Sequence, residues 1–321
     1  MNNSAKSSVS FKAKFGEIFS KYGIYIIFVG MVAALTMISP VFLTYRNIIN
    51  IIRQMSVVGT IAVGMTIIII TGGIDLSPGS VIALVGVVAA SFAHPGDHTL
   101  LITLFAGAGA GLLAGFINGS LISATGIPPF IVTLGMMTAA RGVALLYSGG
   151  RPIGNLSDSF RFLGSGYIFG IPVPIIIFAI VALIGHILLN KTTFGKLIYA
   201  VGGNEEAAVV CGVNVKRVKL FVYTFGGFCA AIAGMVLTAR VSAGSPSAGL
   251  SYELDAIAAT IIGGTSFNGG VGTITGTIIG ALILGTLNNG LDLIGVSSYW
   301  QQISKGVIIV GAIILDSLKN D

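Results

Sequence analysis

Apolar residues in this chain come in long runs separated by short polar punctuation. About 20 apolar residues cover the hydrocarbon core of a bilayer as a helix. Ten windows are candidates, roughly 22–42, 50–71, 78–93, 99–123, 129–147, 174–190, 218–241, 252–264, 273–291 and 302–316. Several are short or interrupted by glycine, which leaves room for re-entrant segments. The prolines of "TGIPPF" (125–130) and "GIPVPI" (170–175) mark boundaries. The expected fold is all-α, a polytopic membrane protein of about ten transmembrane helices.

Composition strengthens this reading. Of the 321 residues, 54% are hydrophobic and only 9% charged, against about a quarter charged in ordinary soluble domains. Between Gln54 and Ala140 the acidic and basic groups are Asp75 and Asp97, as expected where a charge at mid-bilayer costs several kcal/mol. The net charge of +6 therefore reports orientation rather than nucleic-acid binding, because cytoplasmic loops collect Lys and Arg. Lys6, Lys12, Lys14 and Lys21 precede the first window, Lys191, Lys196, Lys216, Arg217 and Lys219 bracket the connection after the sixth, and Lys319 sits near the end. Both termini are then cytoplasmic. The expected organisation is a cytoplasmic segment 1–21, one transmembrane domain 22–317 with a cytoplasmic loop 191–217, and a tail 318–321. No small-residue cleavage site follows the first apolar run, so it reads as a retained helix. Cys211 and Cys229 make no disulfide framework.

Glycine spacing predicts packing. Gly107, Gly111, Gly115 and Gly119 recur every fourth residue, as do Gly272, Gly276 and Gly280. Such stripes let backbones approach closely, here within the bundle. Two glycine-rich breaks echo each other, "GGIDLSPG" (72–79) and "GGTSFNGG" (263–270). They are either broken backbone buried at membrane depth, a frequent mark of transporter sites, or polar loops at a membrane face.

Enzyme signatures are missing. Gly195-Lys196 is followed by Leu197 and belongs to no G-x-x-x-x-G-K-[ST] motif, and neither H-E-x-x-H nor G-x-S-x-G occurs. "HPGDH" (94–98) reads as a solvated outer turn, not a metal site. No catalytic residue, cofactor or metal is expected. Asp75 either carries protons or ions through the membrane or ties down the loop before the next helix, and the second reading is preferred. Arg141 is expected to snorkel to the outer interface. Asn118, Thr133, Thr138, Asn288 and Asn289 are the other polar side chains on apolar spans. They either border a substrate pathway or gate, or bond neighbouring helices.

"GGNEEAAVVCGVNVKRVK" (202–219) is different in kind. Asn204 is a good N-cap, Glu205 and Glu206 suit the first turn, and Gly212 can stop the helix. So short a helix is marginal alone. Ala207, Ala208, Val209 and Val210 give it a small-residue surface suited to a groove on a cytosolic partner. An interfacial helix lying on lipid is the competing reading, disfavoured by the paired glutamates and the lack of a bulky aromatic.

Several blocks in one order resemble the permease subunits of bacterial ATP-binding-cassette monosaccharide importers of the ribose and galactose type. They are "VGMTIIIITGGIDLSPGS" (63–80), "PFIVTLGMM" (129–137), "FGKLIYAVGGNEEAAVVCGVNV" (194–215), "YELDAIAATIIGGTSFNGGVGTITGT" (252–277) and "NNGLDLIGVSSYWQQISKG" (288–306). The resemblance runs from about Tyr22 to Lys319. It implies an inner-membrane homodimer with a substrate path at its centre, an extracytoplasmic sugar-binding protein delivering the sugar, and a separate cytoplasmic ATPase. The stretch Asn204–Gly212 would be the coupling helix that docks into that ATPase and drives alternating access, with ribose the first choice of sugar. The alternative is an ion-coupled secondary sugar transporter working through Asp75. A membrane enzyme acting on lipid-linked sugar finds no clustered acid/base pair to support it.

Overall fold

A computed structural model describes residues 23–320; the expected segment 1–21, residue 22 and Asp321 lie outside the described residues. The helices are α1 (Gly23–Ile38), then α2 (Tyr45–Ile70), α3 (Pro78–Ser91), α4 (Leu100–Thr125), α5 (Pro129–Ser148) and α6 (Asp158–Ser165). A two-residue hairpin follows, β1 (Tyr167–Ile168) antiparallel to β2 (Ile171–Pro172). Then come α7 (Val173–Lys191), α8 (Thr193–Gly203), α9 (Glu205–Val210), α10 (Val215–Val241), α11 (Tyr252–Ile262), α12 (Ile274–Leu293) and α13 (Ser298–Asn320).

Each expected window holds one helix, but they are not equivalent. Among the described residues six are long and apolar enough to cross a membrane: α2, α4, α5, α7, α10 and α12. With 14 residues, α3 reaches only about 21 Å at 1.5 Å per residue. The 11 residues of α11 reach only about 16 Å, short of the roughly 30 Å core. These two are half-helices.

The bundle is organised around α2, whose most apolar stretch is 83% buried, whereas that of α5 is 17% buried. The first glycine stripe does what its spacing predicts. A Cβ at Gly111 would sit 2.6 Å from Gly227 O, and one at Gly119 2.8 Å from Leu220 O. So α4 lies antiparallel against α10 nearly backbone to backbone. Gly276 and Gly280 likewise press on the carbonyls of Gly263 and Ala259, which brings α12 against α11.

The half-helices meet N-terminus to N-terminus. A side chain at Gly79, in the first turn of α3, would overlap Gly249 O and the Glu253 carboxylate at the start of α11. From there α3 runs to Thr238 near one end of α10, where Gly86 packs on that hydroxyl. In the other direction α11 runs towards Ile70 and Gly202, at the α9 end of the bundle.

Candidate functional site

The α9 end is built by local capping. Asn204 Oδ1 accepts from Ala207 N–H at 2.8 Å, and Lys219 Nζ donates to both Glu205 oxygens at 2.7 and 2.8 Å. Gly212 takes φ +84°, the left-handed conformation that ends helices, and Val213 N–H donates to Ala208 O at 3.0 Å. Ala208 departs from the expected outward surface. It is 4% exposed and packs with Val215, Val218 and Val222, because a helix this short is held by burying one face in its own chain. The outward face is Glu206, Ala207, Val209 and Val210, with Val210 88% exposed.

The first break gathers three of the residues selected from sequence. Asp75 Oδ1 accepts from Ser77 N–H at 2.8 Å and from Ser77 Oγ–H at 2.6 Å. Asn118 Nδ2 of α4 donates to Ser77 Oγ at 3.1 Å. Thr133 of α5 accepts from Leu76 N–H at 3.2 Å and donates to Ile74 O at 3.3 Å. Asp75, Asn118 and Thr133 are all buried. Asn118 Oδ1 and Tyr223 Oη have no hydrogen-bond partner among the described residues. Ser77 was missed, although Asp-x-Ser directly before the Pro78 helix start is a legible turn signal.

Thr138, Asn288 and Asn289 do not join this cluster. Thr138 is exposed and donates back to Leu134 O at 3.1 Å. Asn289 exchanges amide bonds of 2.8 and 2.9 Å with Asn47 at the opposite end of the bundle. There a hollow of about 300 Å³ is lined by Asn50, Arg53, Gln54, Arg240 and Asn289. Asn288 is buried beside it in sequence, with Oδ1 lacking a partner among the described residues.

Arg141 corrects an expectation. Instead of snorkelling outward it donates to Pro246 O at 2.6 Å, Ala248 O at 2.9 Å and Gly79 O at 3.3 Å. Carbonyls freed where a chain breaks inside a bundle need donors, and this guanidinium supplies three bonds. Close by, Lys305 of α13 pairs with Asp255 of α11 at 2.9 Å. Nothing local in the sequence announces either contact.

Over residues 47–313 the chain matches the family described as branched-chain amino acid transport system / permease component. It is 46% identical over 309 residues to the ribose import permease protein RbsC of Bacillus subtilis (strain 168), covering 95% of each chain. It is 42% identical over 305 residues to the D-allose transport system permease protein AlsC of Escherichia coli (strain K12), covering 95% of this chain and 94% of that one. With the L-arabinose transport system permease protein AraH of the same strain it shares 38% identity over 314 residues, covering 98% and 94%. No solved structure matches the chain.

Proposed function

The chain belongs to the family of branched-chain amino acid transport system / permease components, and from that premise we propose that it is the membrane subunit of an ATP-driven monosaccharide importer, with ribose as its sugar. As a multi-pass inner-membrane protein it carries no nucleotide-binding motif of its own, so the work comes from a cytoplasmic ATPase. The sugars named for the relatives are ribose, allose and arabinose, all monosaccharides. Ribose is favoured by the highest identity among those three.

The observation that carries this reading is α9. It is capped at both ends, tied by Glu205 to Lys219 and anchored through Ala208, and yet leaves Val209 and Val210 exposed among the described residues. We take this exposed apolar pair on a capped, anchored turn as the docking face. Asn204, Glu205, Glu206, Ala207 and Gly212 set its shape, and the ATPase groove takes its outward face. A sugar-binding protein docks at the opposite end, near the Arg53–Asn289 hollow, and a second copy of the chain completes the pathway. The Asp75–Asn118–Thr133 cluster holds the inner gate, while Thr138, Asn288 and Asn289 border the route.

The test is capture of the cognate ATPase subunit by the detergent-solubilised protein. A Glu206→Arg, Val210→Arg double variant is expected to retain about tenfold less ATPase than wild type, a loss of about 1.4 kcal/mol, with an unchanged melting temperature. Equal capture by wild type and variant would remove α9 from the coupling role.

A further inference from the structure

The last turn of α8, just ahead of the α9 N-cap, lies backbone to backbone against the end of α2, where the first glycine-rich break begins, and against the second break. A Cβ on Gly202 would overlap Ile70 O, the final carbonyl of α2, and would lie 2.7 Å from Gly270 N. Gly270, at φ +72°, donates its N–H to that same Ile70 O at 2.8 Å. A Cβ on Gly269 (φ +86°) would come within 2.8 Å of Gly202 O and 3.0 Å of Gly72 N. One turn earlier on α8, Tyr199 Oη donates to Gly272 O at 2.7 Å. Three stretches distant in sequence, ending at Ile70, at Gly202 and at Gly270–Gly272, therefore share one contact with no side chain between the first two.

Two further facts give this contact mechanical meaning. Asn204 is both the C-cap of α8, its N–H donating to Ala200 O at 3.2 Å, and the N-cap of α9. With Ala208 and Glu205 also tied down, α8 and α9 have no slack linker between them. On the other side, the first break leads directly into α3 and the second follows directly from the end of α11. Close-packed backbone passes on a displacement that flexible side chains would absorb.

We infer that Gly202, Gly270 and Tyr199 form a transmission joint that delivers movement of α9 to both breaks at once, and through them to α3 and α11. They are positioning residues: none of them need touch sugar or ATP. The inference rests on the reading of α9 given above.

The experiment measures labelled ribose uptake and ATP hydrolysis in the same proteoliposomes, holding this chain, its ATPase and its sugar-binding protein. The quantity of interest is sugar moved per ATP hydrolysed, which a loss of stability alone does not change. Gly202→Ala is expected to keep its ATPase but lower the ratio about tenfold, in the range of ordinary coupling energies. Tyr199→Phe, which removes one hydroxyl, should lower it about threefold, as for one lost hydrogen bond. Gly203→Ala is the control, since a Cβ there meets nothing within 4 Å; it should match wild type. An unchanged ratio in assembled Gly202→Ala, or an equal loss in Gly203→Ala, overturns the joint. If Gly202→Ala does not assemble, Tyr199→Phe decides, and a wild-type ratio there overturns it. A Val210→Arg variant run alongside separates the two proposals. If it keeps both ATPase and uptake, the role of α9 fails and the joint falls with it. If it loses ATPase while the Gly202→Ala ratio stays normal, the joint alone is refuted.

Discussion

The two glycine-rich breaks look alike in sequence and are held in opposite ways. In "GGIDLSPG" the chain is mostly buried, and side chains lock it: Asp75 onto Ser77, Asn118 onto Ser77, Thr133 onto the peptides on either side of Asp75. In "GGTSFNGG" the chain is half-open, and backbone contacts join it to its neighbours, with Gly270 on Ile70 and Gly269 against Gly202. The first break is pinned to the membrane helices α4 and α5, the second to α8 beside α9. One break is cross-linked by side chains and the other packed through backbone, and each adjoins one of two short helices that meet head to head. Similarity of composition thus hides a division of labour that packing partners decide.

The sharpest way to break this contrast is Asp75→Ala. It leaves the Ser77 N–H and the Ser77 hydroxyl proton without their acceptor in a buried site, and the expected loss is about 3 kcal/mol, read as a large fall in melting temperature in detergent. A loss no bigger than that of a threonine substitution in the second break would show that side chains do not lock the first. Arg141→Leu should come next, near 2 kcal/mol for a charged donor serving three carbonyls. It tests whether the meeting point of α3 and the residues before α11 needs a clamp. The smallest pair is the most discriminating. Thr133→Val removes a bonded hydroxyl and should cost about 1 kcal/mol. Thr265→Val removes a buried hydroxyl with no partner among the described residues and should stay within about 0.5 kcal/mol of wild type, because swapping an unpaired polar atom for an apolar one is nearly neutral. Equal melting shifts for the two would erase the distinction between the breaks.

How much of this could be read in advance follows from the range of each interaction. Asn204 and Gly212 act on residues within three or four positions, so the cap and the stop were legible. Glycine stripes were legible too, because a spacing of four can only mark one face of a helix. Ala208 and Arg141 were misread for the same reason as each other. Each has an ordinary local profile, and what decides its role is a partner far away in the chain: the α10 valines for Ala208, the carbonyls of residues 246 and 248 for Arg141. The halves α3 and α11 were counted as spans because their apolarity is continuous with the breaks beside them. Only their lengths in space, about 21 and 16 Å, show that neither covers the hydrocarbon core alone. The Tyr199–Gly272 bond and the Ile70–Gly202–Gly270 contact have no local trace at all. Nothing in the neighbourhood of Gly202 in the sequence points to Ile70.

In the proposed cycle a partner ATPase moves this chain through α9. Its most direct test is labelled ribose uptake by proteoliposomes containing the chain, the ATPase and the sugar-binding protein, energised either by ATP or by an imposed proton gradient. Uptake is expected to require both ATP and the ATPase and to fall about tenfold in the Glu206→Arg, Val210→Arg variant. Uptake that follows the proton gradient without the ATPase would contradict it, and would make the buried Asp75 carboxylate the group through which the chain works.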